Sequence, residues 1–155
     1  MPNCTFHIVD AFTAVPLTGN PCAVVTDADG IDPSDMLRIA RETNAPETAF
    51  VLASDKADVR VRYFMPRGEI PFAGHPTIAT GHLLRELGVL KPGTARFEFA
   101  IGVLPVDIRP DRVIMTQPSR TRAPTPGQRP KRSGFRLPIS GKGFRASSCR
   151  GASAS

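Results

Sequence analysis

Cysteine is scarce in this 155-residue chain. There are three, Cys4, Cys22 and Cys149, and none forms a Cys-x-x-Cys pair. An odd, widely spaced set cannot close a disulfide framework and lacks the spacing of a cysteine zinc site. Long apolar runs are also missing, and nothing approaches the ~18–20 residues that cross a bilayer. No basic start followed by an apolar core marks a secretory leader, so the cytoplasm is the expected compartment and no membrane partner is expected. Internal repeats are absent too. What remains is 41% hydrophobic and 22% charged, with 16 Pro and 13 Gly, the composition of a globular domain with a loop-rich part.

Acidic residues are absent from one stretch altogether. Residues 119–155 carry seven Arg, two Lys and no Asp or Glu, while the 14 acids of the chain all lie before it. The net charge of +6 therefore belongs to the tail, and the body is mildly acidic. Nine bases would give salt-sensitive polyanion binding without sequence preference. Only Phe135 and Phe144 could stack on bases there, so nucleic acid is not the expected partner. Pro, Gly and Ser make up 16 of these 37 residues, and no apolar period lasts a full element. Such a segment buries too little apolar surface to offset its ordering entropy. The expected organisation is a folded unit over residues 1–118 and a disordered basic tail over 119–155.

Within the body, residues 5–12 (TFHIVDAF) and 23–26 (AVVT) are β-rich and are separated by the turn formers Thr18-Gly19-Asn20-Pro21. Asp32-Pro33-Ser34-Asp35 reads as a helix start, with an Asp cap, Pro at the first position and acid in the first turn. Met36, Ile39, Ala40 and Thr43 follow at helical spacing. Residues 48–52 and 59–64 read as strands. A second helix is expected from about Pro76, with Ala79, Leu83 and Leu87 on one face and Gly88 ending it. Residues 96–116 read as a meander, broken at Gly102 and again at Arg109-Pro110-Asp111-Arg112. Strands outnumber helices and the last ones follow one another directly. That pattern predicts an α+β fold with a mixed or largely antiparallel sheet.

Two places could carry chemistry. In Pro71-Phe72-Ala73-Gly74-His75-Pro76-Thr77, Gly74 allows close backbone approach, His75 falls at the expected cap position and Pro76 opens the helix. The free N–H groups of a helix start seat a carboxylate or phosphate, and an imidazole there can donate a hydrogen bond or move a proton. The plainer alternative is a capping turn whose His bonds locally. Glu47 enters an apolar strand, where a partly dry cleft would raise its pKa toward general acid/base work; the alternative is an exposed glutamate at a strand edge. No metal site is expected: His75 and His82 lie seven apart without a third ligand at a suitable spacing. His7 reads as a core histidine, and Cys4 and Cys22 have no neighbouring base.

In order along the chain stand Val9-Asp10-Ala11-Phe12-Thr13, Gly19-Asn20-Pro21, Glu47-Thr48-Ala49-Phe50-Val51, the Gly74-His75-Pro76 turn with its flanks, and Met115-Thr116-Gln117-Pro118. Together they resemble the PhzF-like family of phenazine biosynthesis, within the diaminopimelate-epimerase-like fold. The resemblance implies a half-domain whose sheet wraps a central helix, and a cofactor-independent isomerase. In it Glu47 shuttles a proton on a small carboxylate, with His75 as the second catalytic residue. Asn20, Gly74, His75, Pro76 and Thr77 are the implied substrate contacts. Pro46 departs from the family, which usually has Ser there; the change removes a hydroxyl and an N–H near the base.

The resemblance covers only the first of the family's two halves, whose site lies between them. A truncated isomerase of lowered activity is therefore expected, completed by a homodimer or by pairing with a second half. The alternative is a non-catalytic remnant or small-molecule-binding half-domain that dimerises.

Overall fold

The computed structural model describes residues 4–116 and, as backbone alone, a strand at Phe144–Ser147. Nine strands form one mixed sheet: β1 (Thr5–Ala11), β2 (Asn20–Thr26), β3 (Thr48–Leu52), β4 (Val59–Met65), β5 (Gly68–Ile70), β6 (Gly93–Phe99), β7 (Gly102–Ile108), β8 (Val113–Met115) and β9 (Phe144–Ser147). Two helices join them, α1 (Pro33–Thr43) and α2 (Gly74–Glu86). The spatial order is β8-β7-β6-β4-β3-β2-β1-β9, with β5 on β4. Pairing is parallel between β2 and β3 and between β4 and β6, and antiparallel elsewhere. The α+β class and the mixed sheet are as expected from the sequence. No helix among the described residues is long and apolar enough to cross a membrane.

The sheet curls around α2. That helix touches β1, β2 and β3 from one part of the sheet and β7 and β8 from the other. Residues 76–84 are all buried, so the helix has no polar face to give to water. Its main core includes Val9, Val24, Tyr63, Leu83, Phe97 and Ile108. At Gly81 a Cβ would lie 3.1 Å from Val113 and 3.2 Å from Ile108, which lets α2 approach β7 and β8 closely. The opposite face of the sheet carries α1, with Met36 and Ala40 packed on Val25, Phe50 and Phe64. After Thr48, strand β3 is apolar because both its faces are covered: Ala49 and Val51 meet α2's core and Phe50 meets α1's.

Several local expectations shift. Asp32 is the N-cap of α1 and Pro33 its first residue, but the Asp32 side chain makes no capping hydrogen bond. Helix α2 begins two residues before Pro76, with Ala73 as N-cap, so His75 is the second helical residue and not the cap. Leu87, expected on the buried face, is 45% exposed at the C-cap. Gly88 follows with φ 74° and ends the helix. The short β5 is too brief to show a period in the sequence. It is held to β4 by a bidentate pair from Arg62 to Glu69, both contacts 2.7 Å. In the tail, residues 144–147 differ from the expected disorder and form β9 on the outer edge of β1, pairing Val9 with Phe144 and Phe6 with Ser147. An edge strand offers a row of free N–H and C=O groups, and β9 takes them up. Residues 117–143 and 148–155, and with them the 118/119 boundary, lie outside the described residues.

One polar chain runs through the apolar centre. Thr77 Oγ1 donates to the Ala73 carbonyl at 2.7 Å and lies 2.7 Å from the Tyr63 hydroxyl. The single threonine proton goes to the carbonyl, which can only accept, so the Tyr63 O–H must donate to Thr77. Burial pushes the Tyr63 phenol well above its usual pKa, so it stays a donor. Thr80 Oγ1, one turn on, is buried with no hydrogen-bond partner among the described residues. The two threonines should therefore respond oppositely to valine. Thr77→Val strands the Tyr63 hydroxyl and is expected to cost about 1–3 kcal/mol. Thr80→Val removes an unpaired group at equal shape and is expected to leave stability equal or higher. Urea unfolding of both variants checks the pair; equal losses would break the assignment.

Candidate functional site

Four chain segments meet at one edge of the sheet. Strand β2 opens at Asn20, opposite the last residue of β1 in the pairing Ala11 with Asn20. Strand β3 runs parallel to β2 and opens at the same end, directly after Glu47. The Glu47 carbonyl accepts the Ala23 N–H at 3.2 Å and fixes that backbone against β2. The start of α2 closes the group with Gly74 and His75.

There the two expected catalytic residues come together. His75 Nε2 lies 3.3 Å from Glu47 Oε2, with the His75 side chain 10% exposed and that of Glu47 21%. The pair is within ion-pair distance, yet its alignment is poor for a hydrogen bond, and Nε2 is buried without a hydrogen-bond partner among the described residues. Catalytic contacts are often slack until a substrate enters. Burial holds the His75 imidazole below the usual histidine range. The Glu47 carboxylate and a hydrogen bond to the Pro21 carbonyl pull in the opposite direction. The Phe12 ring stands beside it, with centroids 6.3 Å apart and planes inclined by 58°.

The expected substrate contacts divide into two groups. Asn20 and Gly74 are half-buried at the edge, and the His75 side chain is nine-tenths buried beside them. Ala73 gives α2 no side-chain cap. The N–H groups of Gly74 and His75 precede the first intrahelical bond and face outward as donors. Pro76 is buried and has no N–H to offer. Thr77 is fully buried with its hydroxyl committed to Tyr63 and Ala73; it supports the turn from behind. Cys22 is buried near Glu47, and burial first, then the Glu47 charge, pushes its thiol well above the usual range. It is a protonated packing group, as its lack of a neighbouring base suggested. His82 does not join His75: its Nδ1 faces Arg85 at 3.0 Å, two turns along the helix.

The concave surface here is shallow. A cleft of about 10 Å³ between β1 and α2, lined by Ala11, Phe12, Ile78 and His82 among others, has room for a water only. Glu47 and His75 are not part of its lining.

The family model for phenazine biosynthesis-like proteins matches residues 9–134. The chain belongs to that family. A trans-2,3-dihydro-3-hydroxyanthranilate isomerase of Pseudomonas fluorescens is 53% identical over 76 residues, covering 48% of this chain and 27% of that protein. A crystal structure of a PhzF-family phenazine biosynthesis protein from Bacillus anthracis superimposes with a TM-score of 0.72 at 39% identity, covering 76% of this chain and 41% of the other. A hydroxyproline epimerase from Agrobacterium vitis, with a TM-score of 0.53 and 17% identity over 72% of this chain and 41% of its own, shares the fold. The chain thus spans well under half the length of these relatives. The PhzF-like resemblance and the epimerase-like fold read from the motifs are both shown by these matches.

Histidine burial sets a pH response. Burial lowers the pKa of His7, His75 and His82, and the Arg85 charge adds to the effect at His82. A depressed folded value means the unfolded chain binds the proton more readily. Stability from these groups is then complete above the ordinary histidine pKa near 6.5 and is lost as pH falls through it. Tm is expected to fall between about pH 7.5 and pH 5, with a shallower fall in His82→Gln. A Tm that stays level or rises on acidification would contradict the burial argument.

Proposed function

We propose that this chain carries the proton-transfer wall of an isomerase acting on a small carboxylate, with Glu47 as the acid/base. The observation that carries the reading is the 3.3 Å approach of Glu47 to a nine-tenths buried His75 at the uncapped start of α2. A carboxylate reaching this edge meets the Gly74 and His75 N–H groups and the positive end of the helix. Glu47 takes a proton from one carbon and returns it to another, while the bonding electrons stay in the substrate. Such a transfer asks for no cofactor. A neutral imidazole can accept or donate a hydrogen bond without placing a second fixed charge in the site. The isomerase named among the relatives supports the reaction class, and its substrate is the first compound to test.

Incubation with trans-2,3-dihydro-3-hydroxyanthranilate in deuterated water, followed by proton NMR, should show isomerisation with deuterium entering at carbon. Glu47→Gln keeps the shape and removes the base, and turnover should drop by about 10²–10⁴-fold. A glutamine variant as active as the parent chain would overturn the assignment of Glu47.

The Glu47 carboxylate, on a side chain 21% exposed, supports a second reading, in which the chain binds a small carboxylate and turns nothing over until another surface covers it. A second copy of the chain is the proposed cover. Val15 and Leu17, 59% and 75% exposed in the β1–β2 loop, give the rim apolar area to bury. Sedimentation velocity at micromolar concentration should then show a dimer, with activity per chain rising across the monomer–dimer transition. A monomer throughout would rule out the self-pairing.

A further inference from the structure

The loop between β1 and β2 is built under strain for a ring it does not bury. Phe12 stands at φ 68° and Leu17 at φ 67°, the left-handed region that bulky side chains adopt only where their surroundings enforce it. The enforcement is visible in five contacts. The Asp10 carboxylate accepts the Leu17 N–H at 2.8 Å. Thr13 and Thr18 hydroxyls lie 2.6 Å apart, and each is within 3.0 Å of the Val15 carbonyl. Thr13 Oγ1 also accepts the Val15 N–H at 3.0 Å. At Gly19 a Cβ would fall 2.5 Å from the Ala11 carbonyl oxygen and 2.6 Å from Thr13, so only glycine closes the loop. A phenylalanine serving the core would be covered, yet Phe12 is 45% exposed with its ring beside His75.

We propose that Phe12 is a specificity-determining residue of the substrate site. Its open face receives the flat, unsaturated body of a small acid whose carboxylate is held by the Gly74 and His75 N–H groups. The inference rests on the carboxylate reading of that edge and adds the residue that reads the shape of the molecule. Asp10, Thr13, Thr18 and Gly19 are the positioning residues that hold the ring in place. This gives a task to the Val9-Asp10-Ala11-Phe12-Thr13 motif, which the Glu47 chemistry leaves unexplained.

The test needs no turnover. The full chain is titrated with benzoate, cyclohexanecarboxylate and acetate, following the Gly74 and His75 amide signals by NMR. Benzoate is expected to bind more tightly than its saturated counterpart. Phe12→Leu should weaken benzoate by about 2- to 13-fold, the worth of one aromatic contact, and should collapse the preference between the two ring acids. Phe12→Gly relieves the left-handed backbone, so its Tm should equal or exceed that of the parent while the preference is lost. A Phe12→Gly chain that melts lower and keeps the preference would make the ring a packing group and overturn the proposal. Acetate binding with no ring preference in the parent overturns this inference alone. Silence from all three acids overturns it together with the carboxylate reading beneath it.

Discussion

A helix buried on every side must be surrounded, and that requirement shapes this molecule. Residues 76–84 of α2 have no exposed member, so no flat sheet could satisfy them. The sheet instead curls until β1–β3 and β7–β8 both reach the helix. Full burial leaves only the ends of α2 open to water. The C-terminal end is closed by Gly88 and by Arg85, whose guanidinium donates to the Arg109 carbonyl at 2.7 Å and ties the helix to the β7–β8 turn. The N-terminal end lacks a capping side chain and has a proline at its third position. The free backbone donors of this helix start therefore sit where Glu47 and His75 meet.

Burial also decides which polar groups keep their protons. Tyr63 and Cys22 are both forced to remain neutral, the first as a hydrogen-bond donor to Thr77 and the second as filler beside Glu47. His75 is pushed toward neutrality by the same desolvation, opposed by a carboxylate 3.3 Å away. The Glu47 carboxylate thus faces the helix start and His75, while the Asp10 carboxylate is taken up by the Leu17 N–H. That contrast fits the proton transfer proposed above, in which the carboxylate of an incoming acid would meet the helix-start donors and its carbon acid would meet Glu47.

What the sequence disclosed followed from local rules. Strand β3 matches its reading to the residue because the β-rich run TAFVL, preceded by Pro46-Glu47 and followed by a polar turn, has few alternatives. Asp32-Pro33 placed α1 for a similar reason. The start of α2 lies two residues before the one Pro76 suggests because proline tolerates any first-turn position, and here it takes the third, with Gly74 and His75 already helical. Strand β5 is three residues long and depends on the Arg62–Glu69 bridge, a contact between strands that no periodicity reveals. Thr77 looked like a ligand-facing residue in its motif, and only the tertiary position of Tyr63 shows its hydroxyl to be spent. Phe12 was visible as part of a motif, but its left-handed backbone depends on Gly19 packing against Ala11 across the loop.

Strand β2 is the common support of every part of the site. It carries β1, and hence Phe12, on one side, and β3, and hence Glu47, on the other. Its Pro21 carbonyl holds the His75 ring. Cys22 and Val24 face the α2 core while Val25 faces α1, so both of its faces are buried. A slip of one residue would turn each side chain to the opposite core. Neither core could absorb the exchange, because each is packed to its own set of volumes. The register that keeps the two cores apart is therefore the same register that sets Phe12, Glu47 and His75 around one point, and the geometry of the site is inherited from packing on both faces of a single strand.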